Sequence, residues 1–383
     1  MYKDWSNVGS EQAVQCLRLH LVQGIGPLRF RNLIEYFSNV EAILKAPRRE
    51  LERVKNIGPA TSEAIRERHD EEFVEKELRR AKDLGIRVVC CQDDDYPALL
   101  KEIPDAPICL YVKGTLSSKD ATSLAIVGPR RCSQYGQEQA YQFGMAACRV
   151  GMTVVSGLAR GVDAQAHLGA LDCRGRTIAV IGSGLGHLDA HSNRKLAERI
   201  VKDGGAVISE LPIDRPADAE NFPPRNRIIA GMALGTLVIE AAKRSGALIT
   251  ASQTLDYNRE LFALPGRIDY GSTVGTNNLI KNGQAKLTMT IDDILEEFHH
   301  AAEGMREIYQ QLTFETTSKI EPELSSEERS ILDALSIEGV DLEQVLNTTK
   351  LPPEKISSGL TMLQLKGVVE QLPGNRFARI GVR

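Results

Sequence analysis

Several absences narrow this chain before anything else does. Its seven cysteines in 383 residues form no CxxC pair, and the odd count fits reduced thiols better than a disulfide framework or a structural zinc site. Neither a metal nor a cofactor is expected. No uninterrupted apolar run approaches the roughly 20 residues a membrane helix needs, and the opening MYKDWSNVGSEQ lacks the apolar stretch of a secretory signal. The expectation is a cytoplasmic protein with no membrane contact. There is no Walker A sequence, so nothing supports ATP hydrolysis by a P-loop. An excess of positive charge is missing too: 47 Lys+Arg stand against 51 Asp+Glu, for a net charge of −4. Any nucleic-acid site must therefore be a local basic patch.

The length suits two or three domains. Residues 1–72 read as all-helical and contain two similar segments, LVQGIGPLRFRNLIEYF (Leu21 to Phe37) and LERVKNIGPATSEAIRE (Leu51 to Glu67). Each passes from apolar residues through Gly-Ile-Gly-Pro or Asn-Ile-Gly-Pro into a second helical pattern, a helix-hairpin-helix outline. Such turns can offer backbone N–H groups to a DNA phosphate, or they can simply join helices. Residues 73–302 read as an α/β core. Short apolar runs, LAIVG (124–128), MTVVSG (152–157), TIAVIGSG (177–184), AVISE (206–210), TLVIEAA (236–242) and LFALPG (261–266), alternate with helical segments. That pattern predicts an extended Rossmann-like, doubly wound, mostly parallel sheet. A polar linker, 303–322, leads to residues 323–383, where a Ser-x-x-Glu capping box, three short helical patterns and a hairpin turning at Pro-Gly-Asn outline a winged helix. This last segment carries nine acids and seven bases, so protein contact is as plausible for it as duplex reading.

The stretch SGLARGVDAQAHLGAL (Ser156 to Leu171) turns from a strand through glycines into a helix, the usual cradle of a phosphate. It departs from the dinucleotide fingerprint, GxGxxG with an acid about 20 residues on, because Arg160 sits mid-loop and Asp163 follows immediately. Arginine beside glycine recurs at the other strand ends. The first offers Gly128, Arg130, Arg131 and a helix-capping Ser133, and the second Ser156, Gly157, Arg160 and Gly161. Arg194 follows the third, Phe222, Arg225, Asn226 and Arg227 follow the fourth, and Lys243, Arg244 and Ser245 follow the fifth. In a parallel sheet these loops lie side by side and their charges add into one groove. A polyanion fits such a groove, and Phe222 offers a stacking face for a single strand. His187 and His191 bracket Asp189 at a spacing of four that suits a metal on a helix, but no third ligand accompanies them, and they read as exposed loop residues. His167 reads as packed and hydrogen-bonded, and Glu210 and Glu240 as acids that orient arginines.

Several of these stretches resemble the DNA-processing protein A (Smf) family of bacterial natural transformation: SGLARGVDAQAHLGAL, FPPRNRIIAGMA, TLVIEAAKRSGALITA, LFALPGRIDYGSTVGTNNLI and DDDYPALLKEIPDAPICLYVKG. The resemblance spans about Asp93 to Phe298. It implies a non-enzymatic, dimeric protein that binds single-stranded DNA, protects it and helps load the recombinase RecA. It matches Arg130 to the arginine of a Gly-Ser-Arg motif, Gly157, Arg160 and Gly161 to a Gly-rich loop, and Phe222, Arg225, Asn226 and Arg227 to an FPxRNR segment. Pro129 replaces the usual Ser, Ala190-His191 a Tyr-Pro pair, and Asn258 a Gly. The competing reading is a nucleotide-processing enzyme of the phosphoribohydrolase type, whose PGGxGTxxE motif is partly echoed by GMALGTLVIEAA without its Pro-Gly-Gly.

Overall fold

The computed structural model describes residues 5–67, 71–190, 192–298, 325–336, 340–349, 351–365, 368–372 and 376–379, and the chain divides into two compact units, residues 1–309 and 310–383. The expected linker, 303–322, lies outside the described residues.

Six helices open the first unit: α1 (Glu11–His20), α2 (Pro27–Phe37), α3 (Val40–Lys45), α4 (Arg48–Leu51), α5 (Pro59–Glu67) and α6 (Glu71–Asp83). The two hairpin turns share one geometry. Gly24 and Asn56 hold φ at +89° and +69°, Ile25 and Ile57 are both buried, and Pro27 and Pro59 begin the following helices, where a missing N–H costs nothing. Burial of each isoleucine contributes roughly 1.5–3 kcal/mol. The helices do not stand apart from the sheet: Leu17, Leu33 and Leu78 belong to the same apolar cluster as Val88, Tyr111, Ile181 and Val207. Residue 72, the expected boundary, falls at the start of α6.

The sheet then builds in chain order. β1 (Arg87–Cys90), α7 (Ala98–Glu102) and β2 (Cys109–Gly114) precede the buried series β3 (Ser123–Val127), α8 (Gln134–Arg149), β4 (Thr153–Ser156), α9 (Val162–Asp172), β5 (Thr177–Val180), α10 (Arg194–Lys202), β6 (Ala206–Ser209), α11 (Phe222–Gly231), β7 (Gly235–Val238), α12 (Gly246–Asp256), β8 (Glu260–Ala263), α13 (Val274–Lys281), β9 (Lys286–Leu287) and α14 (Ile291–Leu295). Nine strands form one sheet in the order β1-β2-β6-β5-β4-β3-β7-β8-β9. From β6 to β9 all pairings are parallel, while β1–β2 and β2–β6 are antiparallel. Strands β3 to β7 are buried at every position, as expected for short Val- and Ile-rich runs covered on both faces. One apolar layer, with Val127, Val155 and Ile229, lies under one face, and another, with Ile126, Phe143 and Ala166, under the other. Helices α8 and α9 touch backbone to backbone: a Cβ on Gly169 would lie 2.0 Å from the carbonyl oxygen of Tyr141. Because both helices follow adjacent parallel strands, β3 and β4, their N-termini lie at the same edge of the sheet.

In the second unit, helices Ser326–Asp333, Leu342–Thr349 and Pro353–Leu365 enclose Ile331, Ile356, Leu360 and Leu363. β10 (Val340–Asp341), β11 (Val369–Leu372) and β12 (Arg376–Arg379) form a sheet in the order β10-β12-β11. Ser325 and Glu328 complete the capping box. The hairpin is set by the pairing of Leu372 with Arg376; the Pro-Gly-Asn turn lies outside the described residues.

Candidate functional site

Strand order reverses between β3 and β7, and open α/β sheets bind ligands at the carboxyl edge beside such a reversal. A cavity of about 520 Å³ opens there, walled by Arg130 and Arg131 after β3, Gly157 and Arg160 after β4, Gly182 and Ser183 after β5, and Phe222 and Arg225 from α11. Its loops interlock through Gly161. That residue holds φ at +80°, and a Cβ on it would lie 2.5 Å from the Pro129 carbonyl oxygen and 2.7 Å from that of Arg130. A side chain would therefore be strained and would push the two arginine-bearing loops apart.

Beneath the cavity two ionisable side chains, Arg225 and Asp163, are buried. Arg225 donates from Nη1 to the carbonyl oxygens of Gly157, at 2.7 Å, and of Val180, and from Nε to Asn226 Oδ1 at 3.3 Å. Burial pulls its pKa down to about 10, partly offset by Asp163, so the guanidinium stays charged at neutral pH. Asp163 Oδ2 accepts from the Ala159 N–H at 3.3 Å. Burial raises its carboxyl pKa, while Arg225 and the N–H donors pull it back. One turn on, His167 is fully buried with Nδ1 2.7 Å from Thr177 Oγ1. Burial first, then Arg225, lowers its pKa to about 3, so it is neutral. Asp163 thus joins the site as its floor. The signal for it was the Asp-x-x-x-His spacing, which puts both side chains on one face of α9.

Above this floor the cavity is cationic and aromatic. The Arg130 guanidinium lies 4.5 Å from the Phe222 ring centroid and that of Arg225 5.7 Å from it, close enough for cation–π attraction. Arg130, Arg131 and Arg160 are exposed, and none of them makes an ion pair among the described residues.

The remaining expected residues divide. Gly128 packs against Val162, and Ser156 is buried and donates to the Ile126 carbonyl oxygen at 2.7 Å, tying β4 to β3. Arg194 pairs with Glu198 at 2.8 Å. Arg227 points away from the cavity, buried against Glu210 at 2.5 Å and Asp105 at 3.6 Å. Lys243 and Arg244 are exposed after β7, where Lys243 lines a separate cavity of about 220 Å³. Ser245 caps α12, accepting from the Ala247 N–H at 3.3 Å. Ser133 caps α8, and Glu240 accepts from its N–H at 3.1 Å and from its hydroxyl. The His187 ring hydrogen-bonds the Asp214 carbonyl oxygen at 2.9 Å; His191 lies outside the described residues. Among the described residues no cluster of three or more His, Cys, Asp or Glu is arranged to hold a metal, and no helix is long and apolar enough to cross a membrane.

Comparison with known proteins gives two family matches: DNA recombination-mediator protein A over residues 87–299 and the DprA winged helix domain over residues 315–375. Protein Smf of Synechocystis sp. is 34% identical over 402 aligned residues, which take in 97% of this chain and 99% of that protein. The DNA processing protein DprA of Streptococcus pneumoniae is 40% identical over 230 residues, 60% of this chain and 78% of that one. The X-ray structure of DprA from Streptococcus pneumoniae superposes with a TM-score of 0.65 at 32% identity, covering 74% of this chain and 97% of that structure.

Proposed function

The chain belongs to the DNA recombination-mediator protein A family, and from that premise we propose that it binds single-stranded DNA in the cavity at the carboxyl edge and holds it, without chemical change, for delivery to the recombinase RecA. The observation that carries this reading is the grouping of Arg130, Arg131 and Arg160, exposed and without ion pairs among the described residues, in one cavity with Phe222, whose ring lies against Arg130. Phosphates neutralise the arginines, and bases stack on Phe222 or on the Arg130 guanidinium plane. Asp163 and Arg225 form a rigid support rather than a reactive pair, since Arg225 is held by the Gly157 and Val180 carbonyl oxygens and Asp163 by the Ala159 N–H. The DNA-processing names of the relatives support the same reading.

A phosphoribohydrolase reading is weaker. Counted from Gly235, the acid of its motif falls on Ile239, which is buried, and the neighbouring Glu240 is taken up by Ser133. The test is fluorescence anisotropy of the full chain with single-stranded and duplex oligonucleotides of one sequence across a salt series. Tighter single-strand binding with a steep salt slope is expected. Absence of single-strand binding, or release of free base from a nucleoside monophosphate, would overturn the proposal. Dimerisation and RecA delivery, which the family implies, are tested by sedimentation and by RecA filament formation on single strands with and without the protein.

A further inference from the structure

Beside the cavity of Arg130 and Phe222 lies a larger groove of about 710 Å³, with α6 on one side and segment 212–216, which follows β6, on the other. Pro216 lines this groove and Ala217 lines the first cavity, so one peptide step separates them. The partition is fixed in place. The Gly184 N–H donates to the Arg215 carbonyl oxygen at 2.7 Å and the Gly186 N–H to that of Ile213 at 2.9 Å, and from the α6 side the buried Glu77 accepts from the Ile213 N–H at 2.6 Å. The two hollows are thus rigid neighbours along the carboxyl edge.

The groove has the makings of a stacking platform. Phe73, Lys76 and Arg80 lie three and four residues apart on α6 and so share one face. All three are exposed, Phe73 to 44%. Arg215 lines the opposite wall. Lys76 and Arg215 make no ion pair among the described residues, and Arg80 meets Asp214 only through an exposed 3.3 Å contact, which a phosphate can replace at small cost. Glu72 and Asp83 also line the groove, so it is no general attractor of polyanions. Continuity with the first cavity, free cations and one exposed ring together select its occupant.

Resting on the reading of the first cavity as a single-strand site, we propose that the strand continues across Pro216 and Ala217 into this groove. There Phe73 stacks a base while Lys76, Arg80 and Arg215 hold phosphates. The N-terminal helices then form part of the DNA grip through α6.

The test uses the full chain with oligothymidylates of about 6 and about 15 nucleotides, within the span of roughly 4–16 known for single-strand modules. Phe73, Lys76 and Arg215 are exposed, so truncating them leaves folding intact. The Lys76→Ala/Arg215→Ala protein is expected to flatten the salt slope of the longer strand by about 1.4, at about 0.7 per phosphate contact, and to leave the shorter strand unchanged. Phe73→Ala is expected to weaken the longer strand about fivefold or more with its slope intact. Unmoved affinity and slope for the longer strand would overturn the inference while the first-cavity reading stood. So would variants that lose RecA delivery but bind DNA normally, since they would mark a protein partner in the groove. Failure of both oligonucleotides to bind the unaltered protein would overturn the first-cavity reading and this one with it.

Discussion

Removing Arg130 and Arg160 together tests the groove in a way that total affinity alone does not. Each exposed guanidinium that neutralises a phosphate releases counterions, and for single strands log K falls with log salt at about 0.7 per contact. The double alanine variant should therefore have a slope flatter by about 1.4. Raising salt from about 50 to about 200 mM should cost the unaltered protein roughly sevenfold more affinity than the variant. Phe222→Leu makes the contrasting perturbation. It removes the ring over which Arg130 sits at 4.5 Å and leaves the charges, so affinity should fall by about 1–3 kcal/mol with the slope intact. Anisotropy titrations at four or more salt concentrations measure both, and thermal unfolding checks that surface truncation shifts stability by no more than about 0.5 kcal/mol. An unchanged slope in the double variant, or a flattened slope in Phe222→Leu, would refute the division of labour between arginine and ring.

Three further outcomes follow from the same geometry. Gly161→Ala should cost about 1–3 kcal/mol in urea unfolding and weaken DNA binding as well, because the positive φ and the Pro129 carbonyl oxygen both oppose a Cβ; unaltered stability would show that the loops are not interlocked. His167, depressed to about 3 in the fold from an ordinary value near 6.5, contributes stability that is present above pH 6.5 and lost as pH falls toward 3. His167→Gln should accordingly remove about 2 kcal/mol of the stability lost between pH 7 and pH 5, read from urea midpoints at each pH, and an identical loss in both proteins would contradict the buried neutral imidazole. Arg227→Ala should destabilise the fold by roughly 3 kcal/mol by leaving Glu210 unpaired, yet keep the salt slope of any folded protein; a flatter slope would return Arg227 to the groove.

The βα series is legible in the sequence because each strand is a short Val- and Ile-rich run ending in glycine, a pattern that only a sheet buried on both faces requires. The antiparallel edge was not: IRVVCC shows a strand but nothing local says which neighbour it pairs with. The arginines show the same limit at the scale of single residues. Read as a loop, FPPRNR sends all its charges to the groove. In the structure Phe222 begins a helix, and residues two apart on a helix face different ways, so Arg225 supports the cavity floor while Arg227 is spent on Glu210 and Asp105. Lys243 and Arg244 sit on the neighbouring strand end as expected, but the cavity that Lys243 lines is a separate one. The shared core of the helical segment and the sheet is illegible for another reason. Apolar faces such as that of Leu17 and Leu33 reveal that they are covered, not by what.

Where the strand lies on the protein can be read by photo-crosslinking. The full chain is irradiated with a photoreactive single-stranded oligonucleotide and the modified peptides are identified by mass spectrometry. With the strand in the first cavity, crosslinks are expected at Arg130–Arg131, at Gly157–Arg160 and at Phe222. Crosslinks confined to the N-terminal hairpins or to the winged helix, with those three segments unmodified, would rule that location out.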